Sequence, residues 1–311
     1  MIWACSKKVF YMPQLAVLQD GEGVRLDRYL RRRGFYFPQN LFEKWSRQGK
    51  LCIDAQKAKA STRLVVGNLI TFPDDAVSMP PPETVTPPDL SIDEAKAILK
   101  PMIVFENDHL LVLNKPEHLA TQGGTGQRTS IDDLLRNYSP QHRLRLTHRI
   151  DKETSGLLVI AKNIQAATEL TNAFRHRTVL KTYVALCEGI FESTEGVIKS
   201  RLSKSQKSFE KVDSLSEHGK EAVTFYKVIE AVEQENVTLV ELSPQTGRTH
   251  QLRVHMSELG HGIRGDKKYG GEPFHRLMLH AWKIRFSLFD QNYDFEAPLP
   301  KEFERIKSNQ S

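Results

Sequence analysis

The hydrophobic pattern near the start of the chain has the period of a helix and then changes to that of short strands. Apolar residues recur at helical spacing in two runs, Leu26, Tyr29 and Leu30 and then Leu41, Phe42 and Trp45. Residues 50–54 and 64–70 are apolar runs separated by polar turns, as in short strands. The pattern predicts a small α+β domain over residues 24–75, preceded by an N-terminal leader over residues 1–23.

The periodic pattern stops between Pro73 and Pro101, where prolines and acidic residues accumulate. Proline runs favour extended backbone, and the apolar periodicity of a core element is missing here. We predict an interdomain linker over residues 76–100, with a short helix near residues 92–99.

Strand and helix patterns alternate from residue 101 onwards. The predicted strands are two within residues 103–115, then 157–161, 180–186, 222–229, 237–242 and 276–282, and the predicted helices are 130–138, 164–174 and one that follows Thr249 as its cap. Residues 192–219 are polar and predict a β-hairpin with a mobile tip. Because the strands are long-range partners, residues 101–311 are predicted to form a mixed, largely antiparallel sheet with helices packed on it, an α+β fold.

A charged segment precedes the apolar run 157–161. In it, Asp151 lies between the cations Arg149 and Lys152. A carboxylate at the mouth of a buried strand is a candidate for chemistry. The alternative is an ordinary loop or capping aspartate.

Composition and charge favour a soluble protein with an acidic partner. The chain has 311 residues, of which 39% are hydrophobic, and no apolar run or leader typical of a membrane span or a secretory signal. Its three cysteines, Cys5, Cys52 and Cys187, lack metal-ligand spacing, so we expect no metal site and a cytoplasmic location. A net charge of +6 and a pI near 9.1 point to nucleic acid as the partner.

The positive charge is concentrated in residues 24–50. This segment contains eight lysines and arginines and two acidic residues, so its net charge of +6 equals that of the entire chain. The candidate RNA contacts are Arg25, Arg28, Arg31, Arg32, Arg47 and Lys50, and the alternative is a solvated basic face without a ligand. Two helices followed by small strands resemble the S4 RNA-binding domain, on the segments 25–30 (Arg-Leu-Asp-Arg-Tyr-Leu), 49–54 (Gly-Lys-Leu-Cys-Ile-Asp) and 66–68 (Val-Gly-Asn).

Five segments of the second domain form an ordered motif set: 114–116 (Asn-Lys-Pro), 148–158 (His-Arg-Ile-Asp-Lys-Glu-Thr-Ser-Gly-Leu-Leu), 181–183 (Lys-Thr-Tyr), 246–255 (Thr-Gly-Arg-Thr-His-Gln-Leu-Arg-Val-His) and 265–270 (Gly-Asp-Lys-Lys-Tyr-Gly). These motifs, in this order, resemble those of the RluA-type pseudouridine synthases, and the S4-like domain in front of them resembles the arrangement in the RluC- and RluD-like enzymes of large-subunit ribosomal RNA. The resemblance covers residues 103–289. It departs from the family after Pro116, where Glu117 follows instead of a Gly-Leu-Pro-Val-like sequence, and at Ile150, where leucine is commoner.

The resemblance implies that Asp151 is the catalytic aspartate that starts breakage of the uridine glycosidic bond. It assigns Arg248 as the counter-charge that keeps this carboxylate ionised, and Tyr183 as the platform for the extruded base, with a further role in removal of the C5 proton. Arg149 would fill the gap left by the base. The isomerisation transfers no electrons and no external group, so no cofactor is expected.

Several alternatives stay open at the level of the sequence. His148 is a candidate RNA contact or a histidine whose ring holds its own loop. Arg253 and His255 either contact phosphate or lie on a solvated helix face. If the chain is an enzyme, its substrate is ribosomal RNA or transfer RNA; the alternative is a non-catalytic RNA-binding or ribosome-assembly protein. Nothing in the sequence indicates an obligate oligomer, so we expect a monomer.

Overall fold

Residues 13–73, 90–123, 129–139, 144–204, 212–213 and 219–308 are described in a computed structural model of the chain. The chain divides into an N-terminal unit, residues 1–84, and a C-terminal unit, residues 85–311. Among the described residues, no helix is long and apolar enough to cross a membrane. Nor does that part of the chain contain a cluster of side chains able to hold a metal ion.

The described residues of the N-terminal unit, 13–73, form two α-helices and a four-stranded antiparallel sheet of order β1-β4-β2-β3. The elements are β1 (Gln14–Ala16), α1 (Leu26–Arg32), α2 (Gln39–Gln48), β2 (Cys52–Ile53), β3 (Gln56–Lys57) and β4 (Leu69–Thr71). The apolar residues that predicted the helices are buried: Leu26, Tyr29 and Leu30 of α1 pack with Phe42 and Trp45 of α2. The predicted helix order is therefore confirmed, and its cause is one shared hydrophobic core.

The predicted leader, residues 1–23, is too long. Gln14 to Ala16 form β1, which pairs with Leu69 to Thr71 of β4, and Val17 is 2% exposed in the core. The hydroxyl of Tyr29 also donates to the carbonyl of Ala16 at 3.2 Å. A three-residue strand has too short a pattern to be recognised without its distant partner. Residues 1–12 lie outside the described residues.

In the C-terminal unit, the part of the chain that the structure describes forms an eleven-stranded sheet with helices packed on it. Its described helices are α3 (Ile92–Leu99), α4 (Ile131–Tyr138), α5 (Ile164–His176), α6 (Gln251–Glu258) and α7 (Lys301–Ser308). Its described strands are β5 (Ile103–Glu106), β6 (Leu110–Lys115), β7 (Arg145–Leu146), β8 (Ser155–Ala161), β9 (Leu180–Glu188), β10 (Glu195–Lys204), β11 (Val212–Asp213), β12 (Lys220–Val232), β13 (Val237–Pro244), β14 (Leu279–Leu288) and β15 (Gln291–Glu296).

The sheet is mixed and largely antiparallel, as predicted. Its order is β11-β10-β12-β13-β9-β14-β8-β6-β5, with β15 paired to β14 and β7 to β8. Within the described residues, the parallel pair is β8 with β14, and the other pairs are antiparallel. The α+β fold class is confirmed.

Strands β6 and β8 have almost continuous apolar sequences because both faces of the sheet are covered there. Leu157 and Val159 of β8 pack in a cluster with α5 and β15 on one face. Leu158 and Ile160, which alternate with them, pack with α3 and α4 on the other face. This double burial fixes β8, and with it the loop that carries Asp151.

Two predictions at the element level change, and a third, the β-hairpin, is confirmed where the structure describes it. The linker predicted over 76–100 ends earlier, because α3 lies in it and buries Leu99 at 0% exposure in the C-terminal core; residues 74–89 lie outside the described ranges. Thr249 does not cap α6, since the N-cap residue is His250 in a left-handed conformation. The hairpin predicted over residues 192–219 is formed by β10 and β12, and residues 205–211 and 214–218 of that segment lie outside the described residues.

Candidate active site

One cavity of about 500 Å³ in the C-terminal unit is lined by Asp151, Tyr183 and Arg248. Three regions supply these residues: the loop before β8, strand β9, and the connection from β13 to α6. In the sheet, β14 runs between β8 and β9, and its first residue, Leu279, also lines the cavity. His148 and Arg149 line it as well, so the predicted residues of this unit meet around one space.

The backbone around Asp151 is held from several sides. The Thr121 hydroxyl donates to the carbonyl of Ile150 at 2.7 Å, and the Thr154 N–H donates to the carbonyl of Asp151 at 3.2 Å. Ile150 itself is 5% exposed. The Asp151 side chain, 20% exposed, therefore projects from a fixed loop into the cavity.

Lys115 supports the same loop from the end of β6. Its Nζ donates to three carbonyls, those of Pro116 at 2.7 Å, Leu119 at 2.8 Å and Lys152 at 3.2 Å. Burial lowers its pKa to about 7, and the charge of Asp151 opposes that shift. Only an ammonium has three N–H donors, so the three acceptors favour the charged form. Lys115 is part of the segment 114–116 (Asn-Lys-Pro), but nothing in that segment predicts that its side chain holds the loop of Asp151.

Tyr183 lies on β9 and is half-buried beside the Asp151 carboxylate. Burial raises its pKa, and the negative charge of Asp151 raises it further. The phenol therefore keeps its proton at neutral pH. This protonation state suits a flat surface for a base better than it suits a proton acceptor.

Among the described residues, His250 lies closer to Asp151 than any predicted cation does. Its Nε2 is 4.0 Å from Asp151 Oδ2, and its Nδ1 is 2.8 Å from the hydroxyl of Tyr269. That hydroxyl accepts the backbone N–H of Val212 at 2.9 Å, so we assign its own proton to His250 Nδ1. The ring proton then lies on Nε2, directed towards Asp151.

The charge state of His250 fits that arrangement. Burial lowers its pKa, while the neighbouring Asp151 opposes the shift, so the ring is neutral at pH 7. Neither His250 nor Tyr269 was predicted from the sequence as a site residue. The available signal was their position within the two motif segments 246–255 and 265–270.

Arg248 lines the cavity but does not pair with Asp151 in this structure. Its Nε donates to the carbonyl of Glu221 at 3.1 Å, and its backbone N–H donates to the side chain of Gln251 at 3.0 Å. Among the described residues, the basic side chain that comes within 4.0 Å of the Asp151 carboxylate is the neutral His250. The counter-charge role assigned to Arg248 remains a prediction that needs its side chain to move.

A family model and full-length relatives match this chain. The model for RNA pseudouridylate synthase matches residues 109–258. The ribosomal large subunit pseudouridine synthase C of Rickettsia conorii (strain ATCC VR-613 / Malish 7) is 42% identical over 292 residues, which cover 90% of this chain and 95% of that relative. The chain belongs to the RNA pseudouridylate synthase family. It is therefore an isomerase that acts on uridine in RNA.

Other relatives of this pseudouridine synthase agree in sequence and in structure. The ribosomal large subunit pseudouridine synthase C of Vibrio vulnificus (strain CMCP6) is 35% identical, covering 93% of each chain. The structure of human RNA pseudouridylate synthase domain containing 1 has a TM-score of 0.56 and 30% identity, covering 64% of this chain and 83% of that one. Human RNA pseudouridylate synthase domain containing 4 has a TM-score of 0.58 and 28% identity, covering 69% and 94%.

The two cavity residues His148 and Arg149, which precede Asp151, differ in their surroundings. His148 Nε2 accepts the backbone N–H of Val159 at 2.8 Å, and its ring stacks on Phe174 at 4.5 Å. Burial, followed by the charge of Lys181, lowers its pKa to about 3. This neutral, occupied ring favours the loop-holding alternative over an RNA contact. Arg149 is exposed and forms no hydrogen bond within the described chain, so it is available to RNA.

Arg253 and His255 match neither alternative considered from the sequence. Arg253 is 2% exposed and donates Nε and Nη2 to the two carboxylate oxygens of Asp266, both at 2.7 Å. His255 is 0% exposed, with Nδ1 2.8 Å from the Thr224 hydroxyl and Nε2 3.1 Å from that of Ser200. Both side chains lie inside the unit of this pseudouridine synthase rather than on a helix surface.

The predicted cations of the N-terminal unit lie mostly on its surface. Arg28, Arg31, Arg32, Arg47 and Lys50 are exposed. Arg25 differs, because its guanidinium is held by both carboxylate oxygens of Asp27, at 2.6 and 3.1 Å. Arg25 is therefore the least available of the six to an RNA phosphate.

Proposed function

We propose that this chain isomerises uridine to pseudouridine in large-subunit ribosomal RNA, with Asp151 as the carboxylate that starts the reaction. The observation that carries the proposal is Asp151 itself, projecting from a fixed loop into a cavity of about 500 Å³ beside Tyr183. A space of that size is in the range of small-molecule sites and accepts an extruded base. The choice of RNA rests on the names of the relatives from Rickettsia and Vibrio.

The proposed reaction needs no cofactor. The bond between N1 of uracil and C1′ of ribose breaks, the base turns, and a bond between C5 and C1′ forms. The C5 proton leaves and N1 gains one, so atoms and electrons balance within the nucleotide. Asp151 acts as nucleophile or base at the ribose, and Tyr183 supports the base while it turns.

Two arginines act on the RNA side of the cavity in this proposal. Arg149 fills the space that the extruded base leaves in its helix or loop. Arg248 leaves the carbonyl of Glu221 when RNA binds and pairs with Asp151, which favours the ionised carboxylate in a cavity that RNA has closed to water.

The N-terminal unit is proposed to be an S4-like RNA-binding domain over residues 24–75. Its exposed cations Arg28, Arg31, Arg32, Arg47 and Lys50 support that role, because phosphate contacts dominate RNA affinity. We further propose that the protein acts as a monomer in the cytoplasm, where ribosomal RNA is modified.

Mapping of pseudouridine in total RNA tests the activity and the substrate together. We expect deletion of the gene to remove sites in large-subunit ribosomal RNA, wild type to restore them, and Asp151→Asn to fail. Asp93→Asn, an exposed aspartate of α3, is the control and should restore them. Loss of no site contradicts the activity, loss confined to transfer RNA contradicts the substrate, and restoration by Asp151→Asn contradicts the catalytic assignment.

The salt dependence of RNA affinity tests the N-terminal unit in the full chain. Replacing Arg28, Arg31 and Arg47 by glutamine should reduce the slope of log affinity against log salt by about 2, from about 0.7 for each phosphate contact to single-stranded RNA. An unchanged slope would show that this basic face is merely solvated.

A further inference from the structure

The catalytic cavity shares part of its wall with a second cavity of about 310 Å³ in the C-terminal unit. Arg177, Lys181, Pro244 and Gln245 line both spaces. The second cavity extends along the first residues of β9 towards Lys283 and Arg285 of β14. A chain that leaves the catalytic cavity in this direction must pass Arg177 and Lys181.

Three cations lie at this junction without acidic partners. Arg175 and Arg177 are exposed at the end of α5, and Lys181 is half-buried on β9. In the part of the chain that the structure describes, none of the three side chains has a hydrogen bond or an ion pair. Arg177 and Lys181 line the same two cavities, and the charge of Arg177 adds to burial in lowering the pKa of Lys181.

The other two cations that line the second cavity are paired with carboxylates, and the cavity also has one carboxylate of its own, Glu241. Lys283 pairs with Glu296 at 3.1 Å, and Arg285 pairs with Asp294 at 2.7 Å. Glu241 also lines this cavity, and it lies directly across from Lys227 on β12 in the strand register. The unbalanced positive charge therefore belongs to Arg175, Arg177 and Lys181.

The position of Lys181 relative to the reaction is set by the strand. Side chains two residues apart on a strand point to the same face and are separated by about 7 Å. Lys181 and Tyr183 are such a pair on β9, and both line the catalytic cavity. An anion at Lys181 would thus lie next to a base resting on Tyr183, where the adjoining nucleotide of the same strand has its phosphate.

We propose that Arg175, Arg177 and Lys181 form a phosphate-binding subsite for the nucleotides that flank the target uridine, and that the second cavity carries the continuing RNA strand. This inference rests on the proposed function. Three like charges that form no ion pair among the described residues repel one another, and a phosphodiester reduces that repulsion. The helix dipole explains a cation in the last turn of α5, but it explains neither Lys181 nor the shared cavities.

Two substitutions remove the charges with little risk to the fold. Arg177 has a φ of 63° at the C-terminus of α5, a position where glycine is preferred, so Arg177→Gly should leave the helix intact. Lys181→Met keeps the length of a half-buried side chain and removes a charge that burial disfavours. Arg136→Gln is the control, an exposed arginine of α4 that lines neither cavity.

The test measures binding of the full chain to a short oligouridylate at salt concentrations from about 0.05 to about 0.3 M, a range over which phosphate contacts change affinity strongly. For the Arg177→Gly, Lys181→Met double variant we expect affinity about tenfold lower at the low-salt end. The slope of log affinity against log salt should be smaller by about 1.4, from about 0.7 for each of the two cations removed. Arg136→Gln should change neither quantity. An unchanged slope in the double variant, with its melting temperature unchanged, would overturn the subsite.

A second readout separates this subsite from the activity itself. On transcribed large-subunit ribosomal RNA, the double variant should show a higher KM and a kcat at saturating RNA close to that of wild type, because Asp151 and Tyr183 are untouched. If wild type modifies this RNA and the variant has the same KM, the subsite is wrong and the proposed function stands. If wild type modifies no ribosomal RNA, the proposed function fails, while the salt slope still decides whether the subsite binds RNA.

Discussion

Breaking the buried pair of Arg253 and Asp266 is predicted to destabilise the C-terminal unit by about 3–5 kcal/mol. Their side chains are 3% and 0% exposed, and two hydrogen bonds of 2.7 Å join them. Removing one partner leaves the other charge buried without its main counter-ion. Loss of both leaves no stranded charge, so the double replacement should lose less stability than the two single replacements added together.

The structure also predicts which single replacement is worse. Oδ1 of Asp266 accepts the backbone N–H groups of Lys268 at 2.9 Å and Tyr269 at 3.2 Å, so Arg253→Leu leaves the carboxylate with two donors. Asp266→Leu removes the acceptor of four N–H groups and leaves Arg253 with Glu153 at 3.4 Å. We therefore expect a loss near the lower end of the range of about 3–5 kcal/mol for Arg253→Leu and near its upper end for Asp266→Leu.

Native-state hydrogen exchange of the backbone amides in β8 and β9 measures this loss of stability. Both strands belong to the C-terminal unit, so their exchange reports the unfolding of that unit and not of the N-terminal unit. Arg285→Leu is the control, since its pair with Asp294 at 2.7 Å is 60% and 56% exposed. Its effect should not exceed about 1 kcal/mol. Additivity of the two single replacements within about 0.5 kcal/mol would refute the coupling.

Three further substitutions test other parts of the site. Tyr269→Phe removes the hydroxyl that orients His250. The lost hydrogen bond is worth about 1 kcal/mol, so single-turnover isomerisation at saturating RNA should be about fivefold slower. An unchanged rate would contradict the orientation assigned to the His250 ring. Burial lowers the pKa of His255 to about 4, so unfolding between pH 4 and about 6.5 takes up a proton and stability falls as the pH falls. Urea unfolding between about pH 5 and 6 measures the slope of the unfolding free energy against pH. In His255→Gln this slope should be smaller than in wild type by about 1 kcal/mol per pH unit, and the same slope in both proteins would contradict a buried neutral ring at His255. Gly156→Ala places a Cβ against the carbonyl oxygen of Ala281, well inside contact distance, at a residue whose φ is 110°. The melting temperature should therefore fall, with a loss of stability of at least about 1 kcal/mol. An unchanged melting temperature would contradict the close approach of β8 to β14.

The elements that the sequence predicted well have a pattern that is complete within a few residues. Helix α3 spans Ile92–Leu99, as predicted, because Ser91 caps it through Glu94 and its apolar residues recur within eight positions. The apolar runs of β6 and β8 were recognisable for the same reason. By contrast, β1 has three residues and forms only against β4, far along the chain.

Helix α6 shows why the surroundings of motif residues were not predictable. All residues from Gln251 to Met256 are buried, although they include a glutamine, an arginine and a histidine. The partners that satisfy them, such as Thr224 for His255 and Asp266 for Arg253, are distant in sequence. From helical periodicity alone, these polar residues are expected on a solvent-exposed face of the helix. They are buried because their hydrogen-bond partners come from segments that are distant in the sequence.

The same long-range packing decides how Asp151 meets its counter-charges. The ammonium of Lys115 and the guanidinium of Arg253 both interact favourably with the Asp151 carboxylate, and both are fixed by buried hydrogen bonds. His250 presents its ring nitrogen 4.0 Å away. Two fixed cations, Lys115 and Arg253, therefore act on the carboxylate before RNA arrives, and neither of them is Arg248. Arg248 lies at the cavity wall with its guanidinium on the carbonyl of Glu221, so the counter-charge role proposed for it depends on substrate binding rather than on folding.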